Sequence, residues 1–220
     1  MILTKATGHI SPKKEETSVR KLRPRRSAEE TRRDILAMTE RLFRARGFGS
    51  VSIADIAGAL NMSPANVFKH FHSKNALVDA IFLQQIRLLE QKLDPLDATH
   101  PPFERLCHLA RSLMENHRRD LNDNPYIFEM ILMTAKRELA CGRYYENVIT
   151  DLLAAIITDG IADGIYAQTD VDASARTALM ALTSVLHPAL IAHEDVDILA
   201  TRSQELARLV DCALRYGIAK

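Results

Sequence analysis

An all-α fold is predicted by two features of the sequence. Glycine and proline are scarce, at 8 each in 220 residues, while Ala, Leu and Arg are frequent, a composition that favours helices over turn-rich sheets. Apolar residues recur at three- and four-residue spacing, and no useful stretch shows the period-2 alternation of a half-buried strand. No internal repeat is visible.

The elements can be placed in order. Residues 1–26 read as a disordered basic arm, with Arg20, Lys21, Arg23, Arg25 and Arg26 carried beside Pro12 and Pro24. Ser27 is a good N-cap, followed by acidic Glu29 and Glu30 in the first turn. Ile35, Leu36, Thr39, Leu42 and Phe43 then mark one face of a helix that ends near Gly47. Ser52 caps a short helix carrying Ile53, Ile56, Ala57 and Leu60. Ser63 caps a second, with Pro64 at the first helical position, where its missing N–H costs nothing. Ser73 opens a long helix through Leu93, stopped by Pro95. Five more helices are expected at roughly 102–120, 125–139, 143–164, 172–193 and 196–216. Their breaks fall at Pro101-Pro102, Asn122 to Pro125, Cys141-Gly142, near Gly164, and at His193 to Asp195.

Charge divides the chain more sharply than its total of +1 suggests. Residues 1–76 carry a net charge of +8 and residues 77–220 a net charge of −7. One end is thus suited to a polyanion and the other is not. The cysteines Cys107, Cys141 and Cys212 are odd in number and widely spaced, which argues against a disulfide framework or a CxxC metal site. Met1 to Lys14 lacks an apolar signal-peptide core, and Ala178 to Ala192 is too short and interrupted to span a bilayer. A cytoplasmic protein with no membrane partner is expected.

Enzymatic signatures are missing. The sequence has no GxSxG, P-loop, HExxH or strand-linked GxGxxG. His100, His108 and His117 are spaced by eight and nine, which does not align them on one helical face. Asp159 and Asp163 lie i, i+4, yet Gly160 and Gly164 beside them suggest a helix end rather than a metal site. No catalytic residue, metal or cofactor is expected.

The informative segment is 51–74. Two short helices joined by a tight turn form a helix-turn-helix. Ala57 permits close approach, Leu60 and Met62 plug the turn, and Val67 and Phe71 point to the core. Ser63, Ala65, Asn66, Lys69 and His70 are left facing outward, beside a basic arm, as a major-groove reader requires. From spacing alone, an ordinary helical hairpin of a bundle is the alternative.

The run from Val51 through Ser63-Pro64-Ala65-Asn66-Val67-Phe68-Lys69-His70-Phe71-His72-Ser73-Lys74 resembles the DNA-binding signature of the tetracycline-repressor (TetR) family. Thr31 to Phe48 before it and Leu77 to Ile81 after it fit as well. The family's usual Tyr is replaced here by Phe68, which cannot donate to phosphate, and a common Gly by Ala65. The resemblance implies a homodimer with an N-terminal three-helix DNA-binding domain (27–74) and a C-terminal helical sensor and dimerisation domain (75–220). The implied contacts to double-stranded DNA are Arg25, Arg26, Ser52, Ser63, Pro64, Ala65, Asn66, Phe68, Lys69, His70 and Lys74. Asn66 and Lys69 are expected at base edges and Lys74 at phosphate.

In the C-terminal part, Leu206, Leu209, Val210, Ala213 and Gly217 form one helical stripe. Ala175, Ala178, Leu179, Leu182, Val185, Leu186 and Ala189 form a broader one. Both are expected at a two-fold interface, with the monomer core as the alternative. The helices between carry more large apolar residues than one face each can bury. Leu109, Leu113, Phe128, Ile131, Tyr145 and Leu152, walled by Leu179 and Leu182, are therefore expected to line a pocket. It would hold a small hydrophobic or amphipathic ligand, oriented by one or two polar groups such as His108 or Asn147, from a set on these helices that also includes Asn116, His117 and His187. Met114, Met130 and Met133 suit an adaptable surface, while His187, before Pro188, reads as a satisfied core residue. The combined expectation is a ligand-responsive repressor on a palindromic operator. The alternative is a DNA-binding regulator or architectural protein controlled by a protein partner.

Overall fold

The computed structural model describes residues 27–93, 98–134 and 140–217, and for residue 128 and residues 131–134 the backbone alone. The expected arm over 1–26, with Arg25 and Arg26, lies outside the described residues, as do 135–139 of the helix expected over 125–139. Among the described residues the chain forms ten helices. The first four are α1 (Ala28–Arg46), α2 (Ile53–Ala59), α3 (Pro64–His70) and α4 (Lys74–Lys92). Then come α5 (Pro102–Asp123), α6 (Pro125–Thr134), α7 (Ala140–Ala162), α8 (Val171–Leu186), α9 (Pro188–Ile191) and α10 (Val196–Tyr216).

The N-terminal boundaries follow from capping. The Ser27 hydroxyl accepts the Glu30 N–H at 3.0 Å, and the Glu30 carboxylate accepts the Ser27 N–H at 2.7 Å. Ser52 and Asp55 make the same reciprocal pair at the start of α2. Each pair satisfies two backbone donors that a helix start would otherwise leave open. Gly47 closes α1 at φ 77°, a conformation that costs a glycine nothing.

One expected helix is divided. The run 172–193 breaks at His187-Pro188 into α8 and α9. Pro188 has no N–H to give and disfavours helical backbone in the residue before it, so His187 is extended at φ −73°, ψ 120°. Its ring then caps α9 by accepting the Ala189 N–H at 3.2 Å.

Two hydrophobic clusters organise the packing. The head cluster joins Ile35 and Phe43 of α1, Ile56 and Ala57 of α2, Val67 of α3, and Leu77, Val78 and Ile81 of α4. It also takes Tyr126, Ile127 and Met130 from α6, which lies far downstream in the chain. The body cluster is built by α5, α7, α8 and α10, with the second half of α4. The division expected at residue 74 thus falls at the start of a helix that both clusters share.

The stripe on α8 proves to be the chain's own core: Ala175, Ala178, Leu179, Leu182, Val185 and Leu186 are all buried without a second subunit. It is broad because α5, α7 and α10 all pack against α8. On α10 the inward face is Leu199, Ser203, Ala207, Val210 and Leu214, which leaves Leu209 62% exposed.

The end of α7 shows how tightly the body is fitted. A Cβ on Gly160 would fall 2.3 Å from Cδ2 of Tyr166, so glycine is what lets that ring lie flat on the helix. The Tyr166 hydroxyl donates to buried Asp211 at 3.0 Å, and Arg215 donates to the same carboxylate at 2.7 Å. Asp159 is used structurally too, as partner to the largely buried Arg105 at 2.7 Å. Gly160→Ala should therefore destabilise the protein by about 1–3 kcal/mol through overpacking. A lower urea midpoint at unchanged slope would report it, and an unchanged midpoint would contradict this account.

Candidate functional site

The helix-turn-helix is built from backbone outward. Met62 N–H donates to the Ala57 carbonyl at 3.0 Å, closing the turn after α2. Asn61 takes φ 53°, a left-handed conformation that asparagine tolerates better than most residues. The Ser63 hydroxyl accepts the Asn66 N–H at 3.3 Å and starts α3. Val67 and Phe71 are buried and hold α3 against the head core.

Side chains on α3 divide clearly. Ser63, Pro64, Ala65, Phe68 and Lys69 are exposed. Ala65, Phe68 and Lys69 share one outward face by their i, i+3, i+4 spacing. Asn66 departs from its expected outward position. It is half-buried, with its amide nitrogen 3.7 Å from the sulfur of Met62. Asn66 stands one residue before buried Val67, so it lies at the flank of the helix. His70 is half-buried at the last turn, and Ser52 is exposed with its hydroxyl given to Asp55. Asp55 also pairs with Arg46 at 3.2 Å, and its carboxyl is held down at about 2, chiefly by its hydrogen bonds from Ser52.

Lys74, the residue expected at phosphate, is half-buried here: its Nζ donates to the Phe48 carbonyl and lies 4.0 Å from the centre of the Phe48 ring and 5.6 Å from that of Phe43. Desolvation lowers its pKa. The aromatic faces and the carbonyl together hold the ammonium inward.

Two residues absent from the sequence-based site hold this head together. Arg32 of α1 donates to the His70 carbonyl at 2.8 Å and stacks 4.1 Å over the Phe71 ring. It thereby satisfies an open carbonyl at the end of α3. Glu129 of α6 accepts the N–H groups of Phe48 and Gly49 at 2.6 and 2.8 Å. Nothing local marks Arg32. Glu129 carries a signal, being the lone charge within the apolar run of α6, where an ionised group needs partners.

The body holds a cavity of about 440 Å³ between α4, α5, α7 and α8. Its wall is mainly apolar, with Phe82, Ile86 and Leu89 from α4, Ile127 from α6, and Leu179 and Leu186 from α8. Of the expected lining, Tyr145 and Leu179 are found there. Leu109, Leu113 and Leu182 are instead fully packed inside the body core, and Leu152 packs against that core. The side chains of Phe128 and Ile131 lie outside the description. Of the candidate orienting groups, Asn147 is exposed and His108 lies against Ser112, so neither of these two lines the cavity. His117 and Thr183 do, and so does Met180, whereas Met114 and Met130 are core residues. His187, read from sequence as a core residue, is exposed at the cavity rim.

A helix-turn-helix head carried on an all-helical body with an apolar cavity is the architecture of one-chain bacterial regulators. Residues 35–81 match the family model for bacterial regulatory proteins of the tetR family, and residues 102–207 match that for tetracyclin repressor-like C-terminal domains. The chain belongs to the tetracycline-repressor family, whose members are DNA-binding transcriptional regulators and not enzymes. Over 74 residues it is 38% identical to the HTH-type transcriptional regulator UidR of Escherichia coli (strain K12), covering 33% of this chain and 38% of that relative's length. With the HTH-type transcriptional regulator TtgR of Pseudomonas putida it shares 33% identity over 90 residues, which is 41% of this chain and 35% of that one. Among solved structures, Salmonella enterica GusR is 26% identical with a TM-score of 0.58, covering 83% of this chain and 96% of that one. Thermus thermophilus FadR, a TetR-family repressor in complex with lauroyl-CoA, is 25% identical with a TM-score of 0.62, covering 81% and 92%. No helix among the described residues is long and apolar enough to cross a membrane.

Glu129→Ala should leave the Phe48 and Gly49 amides without their acceptor and cost about 1–3 kcal/mol. Amide exchange at those two positions should accelerate while exchange in α10 stays slow. Equal protection in the variant would show that the carboxylate is not what holds this loop.

Proposed function

We propose that the chain is a ligand-responsive transcriptional repressor, which binds a palindromic operator as a homodimer and is released by a small hydrophobic or amphipathic ligand. The carrying observation is α4. Its first half gives Leu77, Val78 and Ile81 to the head core, Phe82 near its middle touches both that core and the cavity, and its second half gives Ile86 and Leu89 to the cavity wall. At 19 residues it is about 28 Å long, so a displacement at one end is felt at the other. Ile127 of α6 adds a second link, since it lines the cavity and packs in the head cluster. A ligand favouring a different setting of α4 would move the two recognition helices off the spacing of about 34–36 Å needed for successive major grooves. Coupling of about 1–3 kcal/mol is the usual scale for such a shift. That Thermus thermophilus FadR, a repressor of similar fold, is found in complex with lauroyl-CoA supports a small-molecule ligand for this chain.

For DNA, the reading face proposed on α3 is Ala65, Phe68 and Lys69, with Ser63 and Pro64 at its entrance and Asn66 and His70 at its flanks. Phe68 is 46% exposed on the outward side of a helix whose other large apolar residues are buried, which suits contact with a thymine methyl. Arg25 and Arg26, just before α1, are proposed to follow the adjoining phosphates. For the dimer, support comes from apolar side chains left outside the core on α8 and α10: Met180 at 61%, Leu209 at 62% and Tyr216 at 87% exposure.

These readings are testable on a duplex selected by the protein from a random pool. Lys69→Ala, and separately deletion of residues 1–26, should weaken binding and flatten its salt dependence, because each removes cations that displace counterions. Phe68→Ala should relax base preference at one position per half-site without changing the salt slope. Full affinity and an unchanged slope in both cationic variants would remove the proposed DNA face. Leu209→Arg should yield a folded monomer by sedimentation, with operator affinity reduced because two half-sites no longer act together. A dimer that survives that substitution would place the interface elsewhere.

A further inference from the structure

The polar groups facing the cavity are unequal in kind. His117 sits on its wall with Nδ1 2.8 Å from the Leu186 carbonyl oxygen. A carbonyl only accepts, so Nδ1 carries the proton. Burial, with a smaller contribution from nearby His187, pushes the ring down to about 4 against the pull of that carbonyl, so the imidazole is neutral near pH 7. Its Nε2 is then a lone pair, and no described protein group bonds it. Thr183 gives its hydroxyl proton to the Leu179 carbonyl at 3.1 Å, which leaves its oxygen as an acceptor on the same wall.

Charge points the same way. Asp120 and Glu146 line the cavity, and the described lining residues include no lysine or arginine. Two donors balance this in part. His187 accepts the Ala189 N–H through Nδ1, so its Nε2 carries a proton, but it is exposed at the rim and served by water. The Tyr145 ring lies 5.6 Å from that of His117, and its hydroxyl is buried without a partner. An anion here would lose its hydration beside two carboxylates, and no cation among the described lining residues would offset that loss.

Building on the ligand-responsive reading, we infer that the cavity selects an apolar ligand whose polar end donates hydrogen bonds and bears no negative charge, with that donor seated on Nε2 of His117. A hydroxyl fits best, because it supplies that donor without adding a charge. Thr183 and the two carboxylates extend the same preference along the wall. Carboxylates and phosphates are disfavoured by Asp120 and Glu146, the two carboxylates among the described lining residues.

Three probes with one apolar body separate the possibilities: naphthol, methoxynaphthalene and naphthoate, titrated calorimetrically into the full chain. Naphthol should bind about tenfold more tightly than either of the others, the scale of one well-made hydrogen bond. His117→Phe should erase the advantage over methoxynaphthalene by weakening naphthol alone, and Thr183→Val should reduce it. Circular dichroism and thermal melting report whether each variant is folded. If His117→Phe does not fold, the Thr183→Val titration decides. Equal binding of all three probes, tighter binding of naphthoate, or a naphthol advantage over methoxynaphthalene that survives both substitutions would overturn the inference while leaving the cavity as a ligand site. If none of the three binds, and neutral Nile red also fails to enter, the ligand-responsive reading falls together with it.

Discussion

A half-buried carboxylate, Glu129, is a polar anchor between the DNA-reading head and the body. Glu129, on an otherwise apolar helix, accepts two successive backbone N–H groups from the loop that follows α1. The contact depends on close approach. A Cβ at Gly47 or Gly49 would lie 3.1 or 3.0 Å from the carboxylate oxygens, so larger residues would push it away. Once Glu129 is seated, Tyr126 and Met130 of the same helix are held in the head core, with Tyr126 tilted against Phe43. Lys74 completes the arrangement from the other side, by donating to the carbonyl of Phe48. The Phe48 loop is thus gripped through its N–H by α6 and through its C=O by α4.

That grip gives the cavity its mechanical meaning. The two helices that hold the Phe48 loop are helices that line the apolar space in the body. A molecule filling the space therefore meets the supports of the head directly, and no long relay of side chains is required. The recognition helix is itself secured within the head by the Arg32 bond to the His70 carbonyl and by burial of Val67 and Phe71. It has only seven residues, too short to be stable alone. It is held as part of the head, so in the proposed dimer a shift of α4 would change the spacing between the two heads.

The polar side chains of the body serve two different ends. Around Asp211, the Tyr166 hydroxyl and the Arg215 guanidinium satisfy a buried carboxylate and lock the α7–α8 connection onto α10. Around His117 the bonds are incomplete, with a free ring nitrogen and the orphaned hydroxyl of Tyr145 nearby. Buried polar groups in folded proteins are usually paired. The completed network around Asp211 holds shape, while the incomplete one around His117 faces the cavity and is where the proposed ligand would bind.

The sequence by itself determined the helices, their order and the helix-turn-helix, because the signals involved act over a few residues. Ser27, Ser52, Ser63 and Ser73 cap within one turn, and apolar periodicity reports a buried face wherever the chain later packs. It also determined Val67 and Phe71 as inward and Lys69 as outward on α3. Tertiary structure decided the rest. Lys74 looked free until Phe43 and Phe48, from well upstream in the chain, surrounded its ammonium. The α8 stripe looked like an interface until three helices from distant parts of the chain met it. The cavity formed where the apolar faces of α4, α5, α7 and α8 fail to close, further along α5 than Leu109 and Leu113, which are completely packed. A packed face and a cavity wall use the same residue types at the same spacing. What distinguishes them is whether volume contributed from other helices fills the gap, and that is set only when the whole chain has come together.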